Sequence, residues 1–154
     1  MTGGRVARVA HHIDTDYFML TYGDGLGDVN IPAVLSQHIK NKSVVTVTGV
    51  HPPSRFGNIV RDGEKVVSFS EKPQTKGEFI AGGYMVANRD FIENYLSEDE
   101  GCVLEIEGLG KASKDGGMGI YKHEGFWLPM DTSSEYLRLN NIWNMGEAPW
   151  KLWQ

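Results

Sequence analysis

The chain has 154 residues, a formal net charge of −5 and 40% hydrophobic residues, a composition typical of a soluble globular protein. This length supports one ordinary core, so we predict a single domain over residues 1–154. The negative charge argues against a dedicated nucleic-acid surface, and no apolar stretch approaches the ~20 residues that span a bilayer. The single cysteine, Cys102, excludes an intramolecular disulfide, and no signal-peptide pattern is visible, so we expect a cytoplasmic protein.

The first predicted elements alternate between strand and helix. The apolar and aromatic segment Tyr17–Thr21 indicates a strand. Asn30 is placed to cap a helix, and residues 43–48, which are rich in Val and Thr, predict the next strand. The apolar face of the helix is formed by Ile31, Val34, Leu35, His38 and Ile39. His38 is expected at the edge of the core.

The middle of the chain predicts paired strands. Residues 57–60 and 65–70 are joined through an Asp62-Gly63 pair, which indicates a β-hairpin. Residues 79–86 predict another strand, interrupted by Gly82-Gly83. Asn88 is then placed to cap a short helix.

The last third is less regular. Residues 104–113 suggest a helix that nearby glycines weaken, and residues 119–122 predict a strand. Thr132 and Glu135 form a capping-box pattern at the start of a final helix. The apolar stripe of that helix is formed by Tyr136, Leu139, Ile142 and Trp143. Together these elements predict an α/β fold with a mixed sheet, flanking helices and a β-hairpin region.

Two aspartates carry the strongest functional signal. Asp24 lies between two glycines directly after an apolar strand, and Asp131 follows an aromatic stretch just before a helix. Such carboxylates are suited to holding one Mg²⁺ between phosphates. Each aspartate also has an ordinary structural interpretation, as a turn residue or a helix cap.

Other polar and glycine positions have similar alternatives. Lys72 at a strand end is suited to gripping a phosphate, and Glu71 to accepting hydrogen bonds from sugar hydroxyls, although both also fit a plain polar turn. Gly82-Gly83 forms either a bulge or a flat floor for a sugar ring, and Gly57 is equally ambiguous. Trp127 is more simply explained by packing than by stacking on a ligand.

The order of these motifs resembles that of the sugar-1-phosphate nucleotidyltransferases, and within them most closely the glucose-1-phosphate cytidylyltransferases. The matching segments span almost the whole chain. They are Met1-Thr2-Gly3-Gly4-Arg5, Thr21-Tyr22-Gly23-Asp24-Gly25, Pro52-Pro53-Ser54-Arg55-Phe56-Gly57, Phe69-Ser70-Glu71-Lys72-Pro73, Gly82-Gly83-Tyr84, residues 125–132 and Ala148-Pro149-Trp150-Lys151.

The resemblance implies a reaction and a role for each matching residue. CTP and glucose 1-phosphate would give CDP-glucose and pyrophosphate, with Mg²⁺ held by Asp24 and Asp131. Lys72 would contact the sugar 1-phosphate. The resemblance further implies that the substrates are contacted by Arg5, Gly57, Glu71, Gly82, Gly83 and Trp127.

One departure from the family pattern limits this reading. The family begins with a Gly-rich loop that cradles the triphosphate, and this chain shows no such loop, which implies that the front of the Rossmann-like domain is absent. Three functions therefore stay open: the enzyme, a sugar-phosphate-binding module without turnover, and a structural remnant. Without its neighbours Tyr17–Thr21 would be an exposed apolar edge, so we expect a homo-oligomer or a rearranged sheet.

Overall fold

A computed structural model of the chain describes residues 1–52, 57–70 and 79–153. These residues belong to two compact units. The first unit comprises Met1–Gly23, Asn30–Thr48 and Gly83–Tyr121, and the second comprises Asp24–Val29, Gly49–Gly82 and Lys122–Gln154. The single domain expected over residues 1–154 stays a prediction, and each unit is described by itself.

The helices and strands follow the predicted order with four additions. In chain order they are α1 (Thr2–Arg8), a 3-10 turn (Ala10–His12), β1 (Tyr17–Thr21), β2 (Gly25–Gly27), α2 (Ile31–Asn41), β3 (Val45–Val50), β4 (Asn58–Asp62), β5 (Lys65–Ser70), β6 (Ile80–Asn88), α3 (Arg89–Tyr95), a π-helix (Leu104–Leu109), α4 (Gly110–Lys114), β7 (Met118–Lys122), β8 (Trp127–Pro129) and α5 (Ser133–Asn144). The additions are α1, the 3-10 turn, β2 and β8, and the helix predicted over residues 104–113 is a π-helix followed by α4. None of the helices in the described part of the chain is long and apolar enough to cross a bilayer.

A four-stranded sheet in the order β1-β6-β3-β7 is the centre of the first unit. β1 lies at its edge and pairs antiparallel with β6, so that Tyr17 is opposite Asn88 and Thr21 is opposite Tyr84. Among the described residues β1 is the first strand of this sheet, and its exposure in the whole protein stays a prediction. Tyr17 and Met19 on it are exposed.

Apolar side chains cover one face of this sheet. Phe91 of α3 and Leu104 and Leu109 of the π-helix pack against strand residues. The strand residues in this cluster are Val45, Val47, Met85 and Ala87. Burial of these side chains at about 25 cal/mol per Å² of apolar surface is the main favourable contribution to folding of this unit.

His38 of α2 is fully buried, so its predicted place at the edge of the core is wrong. Its Nε2 lies 2.7 Å from Asn88 Oδ1 and its Nδ1 lies 2.9 Å from Thr46 Oγ1. A buried imidazole needs such partners, and these two side chains supply them. Asn88 does occupy the N-cap position of α3, but its side chain makes no cap bond. Asn30, in contrast, caps α2 as predicted by accepting from the Ala33 N–H.

The second unit contains the predicted hairpin and the last helix. β4 and β5 pair antiparallel, with Asn58 opposite Ser70 and Asp62 opposite Lys65. α5 begins after Thr132 with the predicted capping box. Its apolar stripe is only partly buried, because Leu139 is covered whereas Tyr136 and Trp143 are exposed.

Candidate functional site

The short ladder of β2 and β8 brings the two predicted carboxylate residues together. Gly25 is opposite Pro129 and Gly27 is opposite Trp127. At the end of the ladder the Met130 N–H donates to the Asp24 carbonyl oxygen at 2.7 Å. Asp131 is the next residue, so Asp24 and Asp131 are backbone neighbours although they are far apart in sequence. Both are exposed to solvent.

The backbone of Asp131 is held by the start of α5. Its N–H donates to Glu135 Oε2 at 3.0 Å, and the Thr132 N–H donates to the same oxygen at 2.9 Å. The Glu135 N–H donates in return to Thr132 Oγ1 at 3.3 Å. This reciprocal cap fixes the direction of the chain at Asp131, directly before α5.

A contact between the buried His123 and the half-buried Asp28, which the sequence analysis missed, lies at the other end of the ladder. His123 Nε2 lies 3.0 Å from Asp28 Oδ1 and 3.1 Å from the Phe126 carbonyl oxygen. Both neighbours are acceptors, so Nε2 carries a proton. The His123 N–H donates to the Gly49 carbonyl oxygen at 2.9 Å, and the Asp28 N–H donates to that of Phe126 at 3.2 Å. These bonds hold β2 and the segment before β8 in register.

Trp127 is buried, with 9% of its surface exposed, and its indole Nε1 donates to the Gly82 carbonyl oxygen at 2.9 Å. A Cβ atom at Gly25 would lie 3.3 Å from that indole nitrogen and 3.4 Å from the same carbonyl oxygen. Glycine is therefore the residue that lets the ladder approach the indole closely. This arrangement agrees with the packing interpretation of Trp127.

Gly83 belongs to the first unit, where it has a positive φ of 80° and lies beside Tyr22. The Tyr22 N–H donates to the Gly83 carbonyl oxygen at 2.9 Å. The Tyr22 hydroxyl donates to Glu105. Partial burial raises the pKa of Glu105, but hydrogen bonds from Tyr22, its own backbone and Thr2 outweigh burial, so the net pKa lies below the ordinary 4.5.

The remaining predicted site residues are less directly placed. Arg5 is exposed in the last turn of α1 in the first unit. Gly57 is half-buried and directly precedes β4 in the second unit. Glu71 and Lys72 lie outside the described residues, so the structure leaves their predicted roles untested.

Comparison with known protein families shows which family this chain belongs to. The sequence matches the nucleotidyl transferase family over residues 3–142. The chain belongs to this family. It is 39% identical over 155 residues to the glucose-1-phosphate cytidylyltransferase of Salmonella typhi, which covers all of this chain and 60% of that protein. It is 36% identical to a probable glucose-1-phosphate cytidylyltransferase of Bacillus subtilis, over 99% of this chain and 59% of that protein. The chain thus spans about three fifths of these relatives.

Solved structures share the fold of this nucleotidyl transferase chain. HddC from Yersinia pseudotuberculosis matches with a TM-score of 0.67 and 19% identity, over 92% of this chain and 62% of that one. A putative glucose-1-phosphate thymidylyltransferase from Bacillus anthracis matches with a TM-score of 0.61 and 17% identity. It covers 91% of this chain and 59% of that one. The predicted α/β nucleotidyltransferase fold is confirmed.

The carboxylates of the described residues are the groups to consider as ligands of a metal ion. Among residues 1–52, 57–70 and 79–153, no group of three or more His, Cys, Asp or Glu side chains is arranged to hold a metal ion. Mg²⁺ commonly takes one or two protein carboxylates and completes its octahedron with water and substrate phosphates. Asp24 and Asp131 are both exposed carboxylates, so their chemistry suits an ion of this kind.

Proposed function

We propose that this chain provides the sugar-phosphate and metal part of an enzyme that transfers a cytidylyl group from CTP to glucose 1-phosphate. The products are CDP-glucose and pyrophosphate. The observation that carries the proposal is the hydrogen bond from the Met130 N–H to the Asp24 carbonyl oxygen, which makes Asp24 and Asp131 neighbours. The 39% identity to a glucose-1-phosphate cytidylyltransferase over the whole chain supports these substrates.

The reaction is a single displacement at phosphorus. An oxygen of the sugar 1-phosphate forms a new bond to the α-phosphorus of CTP. The bond from that phosphorus to the oxygen bridging the β-phosphate breaks, and pyrophosphate leaves with the bonding electrons. No covalent intermediate with the protein is needed, so the chain's contribution is positioning and charge compensation.

Each residue has a defined part in this proposal. Asp24 and Asp131 hold Mg²⁺, which, when bound, neutralises charge on the phosphates. Lys72 grips the sugar 1-phosphate and Glu71 accepts from sugar hydroxyls. As the family resemblance implies, the backbone of Gly57, Gly82 and Gly83 lines the sugar, Trp127 is nearby, and Arg5 contacts nucleotide or phosphate.

A second function is a sugar-phosphate-binding module without turnover. It would use the exposed carboxylates of Asp24 and Asp131 together with the residues given a sugar-phosphate role above. A site that holds the metal and the sugar phosphate needs only the residues described above. Transfer also requires a site for the nucleotide.

Pyrophosphate release from CTP and glucose 1-phosphate with Mg²⁺ separates the two functions. The enzyme releases pyrophosphate, and both Asp24→Asn and Asp131→Asn lower the rate by roughly a hundredfold or more because charge compensation is lost. Asp62→Asn, which removes an exposed carboxylate at the hairpin turn, is the matched control and leaves the rate unchanged. No release, together with a thermal shift from glucose 1-phosphate that needs Mg²⁺, establishes the binding module. If neither pyrophosphate release nor a thermal shift is observed, both functions are contradicted.

A further inference from the structure

The strand β2, which begins directly after Asp24, has few side chains that could fix its position. It consists of Gly25, Leu26 and Gly27 and pairs with β8 along its whole length. β8 ends in a proline, which offers no N–H to the ladder. Strands rich in glycine specify their register weakly, and a slip of one residue displaces a strand by about 3.4 Å. Contacts beyond the ladder are therefore needed to fix the backbone of Asp24 relative to that of Asp131.

His123 lies at the end of this ladder that is remote from Asp24, and it is held on two sides. Its side chain is buried, with 7% exposed, and its backbone N–H donates to the Gly49 carbonyl oxygen at 2.9 Å. Its ring Nε2 donates to the Phe126 carbonyl oxygen at 3.1 Å. Phe126 directly precedes β8. The imidazole is therefore a fixed group attached to the start of β8.

Asp28 directly follows β2 and contacts this ring. Its Oδ1 lies 3.0 Å from His123 Nε2, and its backbone N–H donates to the Phe126 carbonyl oxygen at 3.2 Å. Among residues 1–52, 57–70 and 79–153, no hydrogen-bond donor is aligned with this buried Oδ1, so the imidazole nitrogen is the described group that compensates its charge. Removal of the imidazole would leave the carboxylate oxygen uncompensated and favour movement of Asp28, and of β2 with it, toward water.

Gly125 is the residue that leaves room for this contact. A Cβ atom at Gly125 would lie 2.7 Å from His123 Cε1 and closer still to Asp28 Oδ1. Glycine is used where groups must approach the backbone this closely. A methyl group at this position would separate the carboxylate from the ring, so a change at Gly125 tests the contact while both partners are kept.

We propose that His123 and Asp28 are positioning residues for the site at Asp24 and Asp131. Their contact fixes the register of β2 against β8, and at the other end of the same ladder the Met130 N–H donates to the Asp24 carbonyl oxygen at 2.7 Å. The inference rests on the proposed function, because it concerns how that metal and sugar-phosphate site is held. A displacement of about 1 Å at a reacting site can lower a rate by roughly a hundredfold, so the register matters for function.

Calorimetric titration of glucose 1-phosphate with Mg²⁺ into the full chain tests the proposal. His123→Leu removes the ring nitrogen and Gly125→Ala separates the pair, so each is expected to weaken binding by roughly tenfold or more. His123→Gln offers an amide N–H near the place of Nε2 and is expected to bind within about threefold of the wild type. The matched control is Gly110→Ala, which adds the same methyl group where the nearest atom is 3.4 Å away, and it should bind like the wild type.

Amide hydrogen exchange without ligand reports the register itself. The Met130 N–H, which donates to Asp24, is expected to exchange roughly tenfold faster in His123→Leu than in the wild type and at nearly the wild-type rate in His123→Gln. The Tyr136 N–H, which donates to the Thr132 carbonyl oxygen at 3.0 Å in the same unit, is the internal control and should change little. A general loss of stability would speed both exchange rates alike.

The outcomes separate this inference from the proposed function. A wild type that does not bind glucose 1-phosphate with Mg²⁺ contradicts the proposed function and this inference with it. A wild type that binds, together with undiminished binding in His123→Leu and Gly125→Ala, overturns the positioning role alone. Equal losses of affinity in His123→Gln and His123→Leu, or equal changes in the exchange of Met130 and Tyr136, also overturn it.

Discussion

Trp127 is the side chain in the second unit whose role the sequence left most open. Its indole N–H donates to a buried carbonyl oxygen of Gly82 at 2.9 Å. Trp127→Phe removes the donor and leaves the acceptor unsatisfied, so we expect a loss of about 2 kcal/mol in the free energy of unfolding, measured in urea. Trp143→Phe, at a side chain 46% exposed, is the control and should change it by less than about 0.5 kcal/mol.

If the two tryptophan variants have the same free energy of unfolding, the hydrogen bond of Trp127 does not contribute to stability, and contact with a ligand is the better explanation of this side chain. A larger loss at Trp127 places its main role in holding β8 against Gly82.

Glu105 in the first unit gives a prediction about acid stability. Its pKa is lowered, despite the opposing effect of burial, by hydrogen bonds from Tyr22, its own backbone and Thr2. A carboxyl whose folded pKa is below its unfolded value stabilises the fold above the unfolded pKa, and this contribution is lost as the pH falls through the folded pKa. Tyr22→Phe should therefore cost about 1 kcal/mol at neutral pH, a low value because Glu105 is exposed, and less at acid pH.

Unfolding in urea at neutral pH and below pH 4.5 measures this difference. Tyr136→Phe, at an exposed tyrosine of α5, is the control and should show no pH-dependent difference from the wild type. A Tyr22→Phe penalty that stays constant with pH would mean that Glu105 is not the group involved.

At this scale the sequence singled out Asp24 and Asp131, whose metal role stays a prediction, and missed the contact between Asp28 and His123. The two predicted aspartates lie inside motifs that local pattern makes visible. The pair of Asp28 and His123 depends on the register of β2 against β8, a long-range pairing that no local pattern specifies. The only sequence signal was the position of His123 two residues before the glycine-aromatic stretch at Gly125-Phe126-Trp127.

Among the elements, α5 offers the sharpest test because its cap also positions Asp131. Thr132→Ala removes the hydroxyl that accepts from the Glu135 N–H, and we expect a loss of about 1 kcal/mol in unfolding free energy. The control is Ser134→Ala, which changes an exposed residue two positions further along the chain. If Thr132→Ala is as stable as that control, the cap does not support the start of α5.

The elements that the sequence predicted well are those with local signals. The hairpin at Asp62 and Gly63 has turn residues, and α2 and α5 have cap residues followed by apolar periodicity. α1 was missed because buried glycines, which disfavour helices in isolation, form it. A Cβ at Gly3 would lie 2.7 Å from Cys102 Sγ, so a close tertiary approach outweighs propensity there. The π-helix at Leu104–Leu109 likewise follows from packing of Leu104 and Leu109 into the core.

For the whole molecule, the predicted α/β nucleotidyltransferase fold is confirmed, and the order of motifs was sufficient to find it. The division into two compact units was not predicted, because it depends on which distant segments contact each other. The oligomeric state expected from the β1 edge stays a prediction.

Calorimetric titration of glucose 1-phosphate into the full chain tests the central claim, that Asp24 and Asp131 together hold a metal and a sugar phosphate. We predict binding that requires Mg²⁺ and is lost in Asp24→Asn and Asp131→Asn but kept in Asp62→Asn. Absence of binding with Mg²⁺, or equal binding in all of these variants, would contradict the claim.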